Sequence, residues 1–545
     1  MERGQSIDPQ VPAVRLAVHV AHLLVGRLGN SMEIELEGKR EAWRVLAELG
    51  ARAEPGSVLV SEAAASLLER RFELVPADAG NPSGPRRLVQ RERTGFGLGG
   101  RPLSRFVGRG YELDALTGFL VQAERGRGQV VTIVGEPGVG KSRLLYELTR
   151  SERLQGWRIL GCGGVSHGLA TPYLPLVELL RRCFGVEEAD TPSEIGQRIE
   201  QTLRGLDPAL GPHLPALLAL CEVPLDDPRW HALEPVQRRQ AMREAIRHLL
   251  LRESRVRPLL VLVEDLHWID SETQATLDRL VETLPTAHLL FIGTHRPEYR
   301  HAWAGRTYHS QLRLDPLGPE HADALLRSLL GSGTELVPLT ERMIERTEGN
   351  PFFLEESVRS LIETQAVTGE PGDYRLTRVV RDIDVPAAVE ALLAARIDRL
   401  PPDDRQVLQS AAVIGTDVPL ALLSAIGSGS EDTLHLSITR LQAAEFLYEK
   451  SGAAEAEYTF KHALTHEVAY GSLPAERRRA LHARIVAALE ARHPHQPGEP
   501  PQRLAHHAMR GELWEKAVTY LREAGERATA RSAYREAATA FEQAL

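Results

Sequence analysis

The residues Gly135-Glu136-Pro137-Gly138-Val139-Gly140-Lys141-Ser142 satisfy the spacing GxxxxGK[ST] and run directly into a helical pattern, SRLLYELTR. Glycines in such a turn let backbone N–H groups point inward onto phosphate oxygens, and the start of the following helix adds the positive end of its dipole. Lys141 is then placed to reach the β- and γ-phosphates and the Ser142 hydroxyl to hold Mg²⁺, so the chemistry is the binding of ATP or ADP. Arg143, the next residue, joins the loop in the nucleotide-binding set. Chance would give this pattern about three times in a thousand chains of this composition. Lysine is also scarce: Lys39, Lys141, Lys450, Lys461 and Lys516 are the only five among 65 basic residues. A lysine at the end of a glycine-rich turn therefore asks for a reason.

Phosphoryl chemistry also needs carboxylates near the metal and the attacking water. The apolar run Leu259 to Val263 ends in Glu264 and Asp265, adjacent acids at a strand end. One would hold Mg²⁺ through water and the other polarise the attacking water, and the order Glu then Asp leaves open which does which. A further apolar run ends Gly293-Thr294-His295-Arg296, bringing a hydroxyl and a guanidinium to the same edge and adding Arg296 to the candidate catalytic residues.

The elements that must position these groups are legible as short apolar runs at Gln129 to Val134, Trp157 to Gly161, Leu259 to Val263 and His288 to Gly293. Between them lie segments of helical period such as Ser142 to Ser151 and Ser271 to Leu284. Continuous apolar strands alternating with helices predict a parallel sheet covered by helices on both faces, with ligand bound at the carboxyl ends of the strands. From about Glu320 onward the strand signal fades and helical segments dominate, including Glu320 to Leu330, Val385 to Leu400 and Arg478 to Ala491. Stretches dense in Pro and Gly, Asn81 to Arg105 and His493 to Gln502, read as linkers. Near the end, WEKAVTYL from Trp514 and YREAATAF from Tyr534 align at an offset of 20, in the manner of helical repeats.

At 545 residues the chain is long enough for about three to five domains. Hydrophobic residues at 43% and charged residues at 26% match a soluble globular composition, and no apolar run approaches the ~18 residues of a membrane span. The first residues lack a signal-peptide pattern, which makes the cytoplasm the expected location. Cys162, Cys183 and Cys221 form neither a disulfide framework nor a zinc pattern. With 65 basic against 74 acidic residues interspersed along the chain, no nucleic-acid footprint is expected.

With these motifs placed, residues from about 106 to the end resemble the STAND class of P-loop NTPases, ATP-dependent signalling switches related to AAA ATPases. The ordered elements are Phe106-Val107-Gly108-Arg109, GEPGVGKS, VEDLHWID, Thr294-His295-Arg296-Pro297-Glu298, Gly349-Asn350-Pro351 and Phe460-Lys461-His462-Ala463-Leu464. The resemblance implies a P-loop core over residues 106–315, a helical lid over 316–384, a winged-helix-like domain over 385–492 and the start of tetratricopeptide-like repeats, an α-solenoid, over 503–545. It implies that Val107 and Arg109 pack on adenine, that Pro351 closes the base pocket and that His462 meets the β-phosphate of ADP. Here Lys461 and Ala463 flank that histidine, where the family usually has Met and Asp. Residues 1–93, followed by a linker over 94–105, resemble the C-terminal half of a class III adenylate/guanylate cyclase domain, a small α+β remnant. Arg44 and Glu48 stand where active cyclases use Asn and Arg, and no cyclase activity is expected. Both ends read as those of a piece of a longer protein. The functions implied are a slowly hydrolysing ATP/ADP switch with a protein partner on its helical repeats and nucleotide-dependent self-association, a scaffold retaining ADP, or a regulator of transcription acting through the winged helix, with Glu476-Arg477-Arg478-Arg479 as its charged run.

Overall fold

The computed structural model describes residues 15–21, 25–28, 31–34, 36–54, 56–68, 72–77 and 84–91, then 103–545 apart from 165–170, 188–189, 378, 380–385, 387, 428, 450–455 and 493–499. Most of both expected linkers, 94–102 and 493–499, lies outside the described residues. The chain divides into two compact units, Met1–Pro102 and Leu103–Leu545.

The first unit carries β1 (Leu16–Val18), β2 (Val25–Leu28), β3 (Ser31–Ile34), β4 (Val58–Val60), β5 (Phe72–Pro76) and β6 (Arg86–Arg91). β2 and β3 form an antiparallel hairpin, and the other four make a sheet in the order β1-β4-β6-β5. β1 and β4 are parallel, so the chain must cross over between them, and the helix Leu36–Arg52 lies in that connection. Leu49 and Ala53 bury themselves with Leu59 of β4. Arg44 and Glu48 lie on the exposed side of this helix and pair with each other at 2.7 Å, a solvated i,i+4 ion pair.

The second unit is built on a five-stranded sheet in the order β11-β7-β10-β9-β8, all neighbours parallel. Its strands are β7 (Gln129–Val134), β8 (Arg158–Gly163), β9 (Leu259–Glu264), β10 (Leu289–His295) and β11 (His309–Arg313). β10 is buried along its whole length and β9 until its last residue, as a central parallel strand covered on both faces must be. β11 is an edge strand with a half-exposed pattern and one large apolar residue, Leu312, which is why the sequence reading of four strands lacks it. Between β8 and β9 the chain inserts the helices Leu174–Phe184, Pro192–Leu206, Leu214–Leu220 and Pro235–Val256. The second of these starts with a full capping box, Thr191 with Glu194, and Pro192 at its first turn. Leu176, Leu180, Ile199, Leu217, Ile246 and Leu249 close one core with Val261 and Phe291 of the sheet.

Beyond the sheet come the helices Pro319–Leu330, Val337–Thr347 and Pro351–Glu363, packed around Leu325, Leu326, Leu339, Met343 and Leu354, followed by the hairpin β12 (Val367–Glu370) and β13 (Asp373–Leu376). A separate core over residues 397–489 joins the helices Val389–Asp398, Pro402–Ile414, Leu420–Ile426, Glu431–Ala443, Ala463–Gly471 and Ala475–Arg492 to a small antiparallel sheet. That sheet has the order β14-β16-β15, with β14 at Asp417–Pro419, β15 at Leu447–Glu449 and β16 at Glu457–Phe460. The fading of strand signal after residue 320 therefore hides five short strands among the described residues. Three helices end the chain, Pro501–Arg510, Trp514–Ala530 and Tyr534–Ala544. The two segments aligned at an offset of 20 begin the last two, and the pair meets closely enough that a Cβ on Gly525 would lie 2.5 Å from the Phe541 ring. Among the described residues, no helix is long and apolar enough to cross a membrane. The three cysteines are unpaired and buried, and burial pushes the Cys183 and Cys221 thiols up to about 12 and about 11.

Candidate nucleotide-binding site

The loop Gly135–Gly140 leaves the carboxyl end of β7 and turns into the helix Lys141–Thr149, whose N-cap is Gly140. Gly138 and Gly140 have φ of +84° and +100°, a backbone region costly for any residue with a Cβ. This is the reason for the glycines in the motif: only they let successive N–H groups turn toward one point. Lys141 donates from Nζ to the Gly135 and Glu136 carbonyl oxygens at 2.7 and 3.0 Å. Burial holds its ammonium below the usual lysine range, with Arg296 adding to the lowering and Asp265, Glu136 and Glu264 opposing it.

β9 delivers the two acids to the same place by different geometry. Glu264 accepts a hydrogen bond from the Ser142 hydroxyl. Asp265 follows in the left-handed region at φ +53°, its N–H donating to Thr294 Oγ1 at 3.0 Å. Its side chain stays 46% exposed, yet the surrounding protein desolvates the carboxyl enough to push its pKa up against the pull of Lys141 and Arg296. Ser142 and Glu264 thus form a pair of hard oxygen donors, with Asp265 beside them, which fits Mg²⁺. When bound, that ion would neutralise phosphate charge. Among the described residues no set of three His, Cys, Asp or Glu side chains suits a metal. A protein donor set this sparse accords with an ion that keeps most of its waters.

The remaining sequence-derived residues fall on two sides of the loop. Arg109 is buried and reaches back to the Val139 and Asp315 carbonyl oxygens at 3.1 and 2.6 Å, bracing the loop from behind. Val107 packs on the helices that follow residue 317. Arg143 donates to the Ser104 carbonyl at 2.9 Å and lies over the Phe106 ring, tying the entry segment to the loop helix. Pro351 opens a helix capped by Asn350, whose Oδ1 accepts from the Phe353 N–H at 3.3 Å. Asn350 also donates to the Pro137 carbonyl at 3.0 Å, and the Phe352 N–H donates to the Gly138 carbonyl at 3.3 Å. His462 caps the helix Ala463–Gly471 and stacks on Phe352, ring centres 4.1 Å apart and planes inclined by 20°. Arg296, at the end of β10, lies 3.5 Å from Glu467 on that same helix.

Sequence reasoning missed Phe352, which joins His462 to the loop, and gave Thr294 no hydrogen-bonding part. It also passed over His267, two residues after Asp265. Burial, then Arg296 and Lys141, push this imidazole down to about 4, and neither ring nitrogen has a hydrogen-bond partner among the described residues. Phe352 follows Asn350-Pro351 directly, but an aromatic in a helix's first turn is indistinguishable in sequence from a core residue.

A parallel sheet in this order, a glycine loop between β7 and a helix, and acids on the strand two places away define a P-loop nucleoside triphosphatase core. Residues 105–292 match the family described as an AAA ATPase domain. Over 561 aligned positions the chain is 28% identical to an uncharacterised protein of Rhizobium meliloti (strain 1021), covering 95% of this chain and 52% of that one. The chain thus spans about half the length of the curated relative it matches. Among solved structures it is similar to a Signal Transduction ATPase with Numerous Domains protein carrying a tetratricopeptide repeat sensor, from Pyrococcus horikoshii. That match has 13% identity, a TM-score of 0.46, and covers 82% of this chain and 59% of the other. A Walker-type ATPase of Pyrococcus abyssi is matched at 14% identity and a TM-score of 0.25, over 68% of this chain and 98% of that one.

Proposed function

We propose that the protein is a nucleotide-gated regulatory switch, binding Mg·ATP at Gly135–Ser142, hydrolysing it slowly, and reporting the bound state through the helices beyond the sheet. One observation carries this reading: the phosphate-binding loop is touched by parts of the chain far beyond the core. Asn350 and Phe352 bond to Pro137 and Gly138, and His462 stacks on Phe352. A switch requires that nucleotide interact differently with two arrangements of the protein, and these contacts lie where lid and core would part. In this reading 316–384 is the lid, 385–492 the winged-helix-like domain and 503–545 the start of a repeat array that receives a protein partner.

Within the site, Glu264 is assigned to the metal side because it shares the Ser142 hydroxyl, and Asp265 to the attacking water because Lys141 and Arg296 face it. Pro351 and the Val107 segment border the base, and Arg109 supports the loop. The first unit, with Arg44 and Glu48 paired on a helix surface, serves as a cyclase-like remnant without cyclase chemistry.

Nucleotide extracted from the purified chain, together with single-turnover hydrolysis of Mg·ATP, tests the reading. About one nucleotide per chain and slow turnover are expected, and Lys141→Ala should abolish both. Bound ADP without any turnover would favour a scaffold that keeps its ligand as a structural part. Unchanged affinity in Lys141→Ala would overturn the site.

A further inference from the structure

Seven charged side chains meet where the helix Pro351–Glu363 joins the segment beyond residue 389. Glu356, Arg359 and Glu363 come from that helix, Arg396 from Val389–Asp398 and Arg399 from its C-cap, Glu445 from the turn after Glu431–Ala443, and Lys461 from the residue after β16. Arg399 lies 3.7 Å from Glu363, so three acids face four bases. The cluster is also deep: the Arg396 and Glu356 side chains are 0% and 1% exposed, and Lys461 12%.

The bonds interlock. Lys461 donates from Nζ to Glu356 Oε1 at 2.8 Å and to Glu445 Oε2 at 3.1 Å. Arg396 donates to Glu356, to both Glu363 carboxylate oxygens and, at 3.0 Å, to the Ala444 carbonyl, with its guanidinium 4.6 Å above the Phe446 ring. Arg359 pairs with Glu445. Burial would raise the Glu356 and Glu445 carboxyls, but Lys461 and Arg359 hold both below the usual range, with Arg396 adding to the lowering at Glu356. Each acid that Lys461 touches thus keeps an arginine, Arg396 at Glu356 and Arg359 at Glu445, and Glu363, which shares Arg396, has Arg399 as well. Removing the lysine leaves no buried carboxylate without a cation, which is the usual cause of collapse when a buried ion pair is cut.

Lys461 is therefore not needed to neutralise the cluster, and its position in the chain says what else it does. The next residue is His462, stacked on Phe352, and the Phe352 N–H is bonded to Gly138 of the phosphate-binding loop. Lys461 reaches from the residue after β16 to the Glu356 carboxylate on the helix Pro351–Glu363, one residue from the ring stacked on Phe352.

We propose that Lys461 is a positioning residue for nucleotide retention: its bonds to Glu356 and Glu445 hold His462 against Phe352 and so hold the lid against Gly138, slowing the escape of ADP. The inference rests on the reading that the loop holds ADP.

The test is the dissociation rate of N-methylanthraniloyl-ADP, chased with excess ADP, from the full chain and from Lys461→Met, His462→Ala and the double variant. Lys461→Met and His462→Ala should each speed release about ten-fold or more, and the double variant should release no faster than the faster single one, because both act through one contact. Glu445→Gln, which weakens the same ammonium from the other side, should speed release by a smaller factor, and it keeps the test in force should Lys461→Met not fold. Thermal unfolding of the nucleotide-free proteins supplies the second readout: Lys461→Met should melt close to the parent. Faster release in His462→Ala with none in Lys461→Met or Glu445→Gln would overturn the proposal while leaving the site reading intact. Multiplicative effects in the double variant would overturn it as well. If the parent binds no labelled ADP at all, the failure is that of the site reading, and the positioning role falls with it.

Discussion

At the scale of single residues, the site depends on pairs whose members are far apart in sequence and bonded in space. Ser142 and Glu264 are such a pair, and Asp265 stands beside it in a left-handed backbone conformation fixed by Thr294. Changing Glu264→Gln together with Asp265→Asn should leave nucleotide affinity within about three-fold, since the loop contacts remain, while slowing single-turnover hydrolysis at least about a hundred-fold. The single variants separate the roles: Glu264→Gln should also raise the Mg²⁺ concentration needed for half-maximal rate, and Asp265→Asn should not. Hydrolysis at the parent rate in the double variant would reduce both acids to turn residues. Lys141, Ser142 and the two acids were legible in the sequence because each belongs to a short contiguous motif whose spacing alone fixes its geometry. Phe352 and Glu356 were not, and of Thr294 only its place at the sheet edge was, because their parts depend on which surfaces the fold brings together. Lys461 falls between: its rarity in an arginine-rich chain marks it, but nothing local says that Glu356, 105 residues earlier, is its partner.

At the scale of elements, legibility follows burial. β7, β9 and β10 are central and read as unbroken apolar runs, whereas edge strand β11 and the short strands β12 to β16 carry too little apolar residue to register. The joints between elements are set by backbone more than by side chains. Gly349, at φ +76°, brings its carbonyl to the Leu317 N–H at 2.9 Å, and a Cβ there would fall 2.1 Å from the Leu317 carbonyl oxygen. Gly349→Ala should therefore displace the helix Pro351–Glu363 from the loop and destabilise the unit by about 2 kcal/mol or more, measured by thermal or denaturant unfolding. A melting curve matching the parent's would mean that the turn relaxes freely. A second joint titrates. His482 on Ala475–Arg492 is buried, bonded from Nδ1 to His507 Nδ1 at 2.8 Å and from Nε2 to the Tyr470 hydroxyl at 3.0 Å. Burial first, then His506, Arg510 and Arg478, push it from 6.5 down to about 3. Its folded pKa lies below its unfolded one, so the unfolded chain binds the extra proton and stability falls as pH drops below about 6.5. Between pH 7.5 and pH 5 the loss should be about 2 kcal/mol, and His482→Gln should flatten that slope. An unchanged slope in the variant would assign the acid sensitivity elsewhere.

At the scale of the whole second unit, the chain returns to its own core. Arg531 donates to Glu222 and to the Pro172 carbonyl at 3.3 Å, Arg239 donates to the Ser532 carbonyl at 2.7 Å, and Ser271 donates to Glu536. The last two helices are thereby seated on the helices inserted between β8 and β9 and on the one that follows the Asp265 turn. Arg531→Ala should speed amide hydrogen exchange in Tyr534–Ala544 about ten-fold while leaving β9 and β10 unchanged. Equal exchange in parent and variant would show that the seat is held by packing alone. Two of these four bonds end on main-chain oxygens, at Pro172 and Ser532, and a carbonyl is present whatever side chain its residue bears. A lineage could therefore rewrite the outward faces of the last two helices while the two of these bonds that end on main chain pass down unaltered.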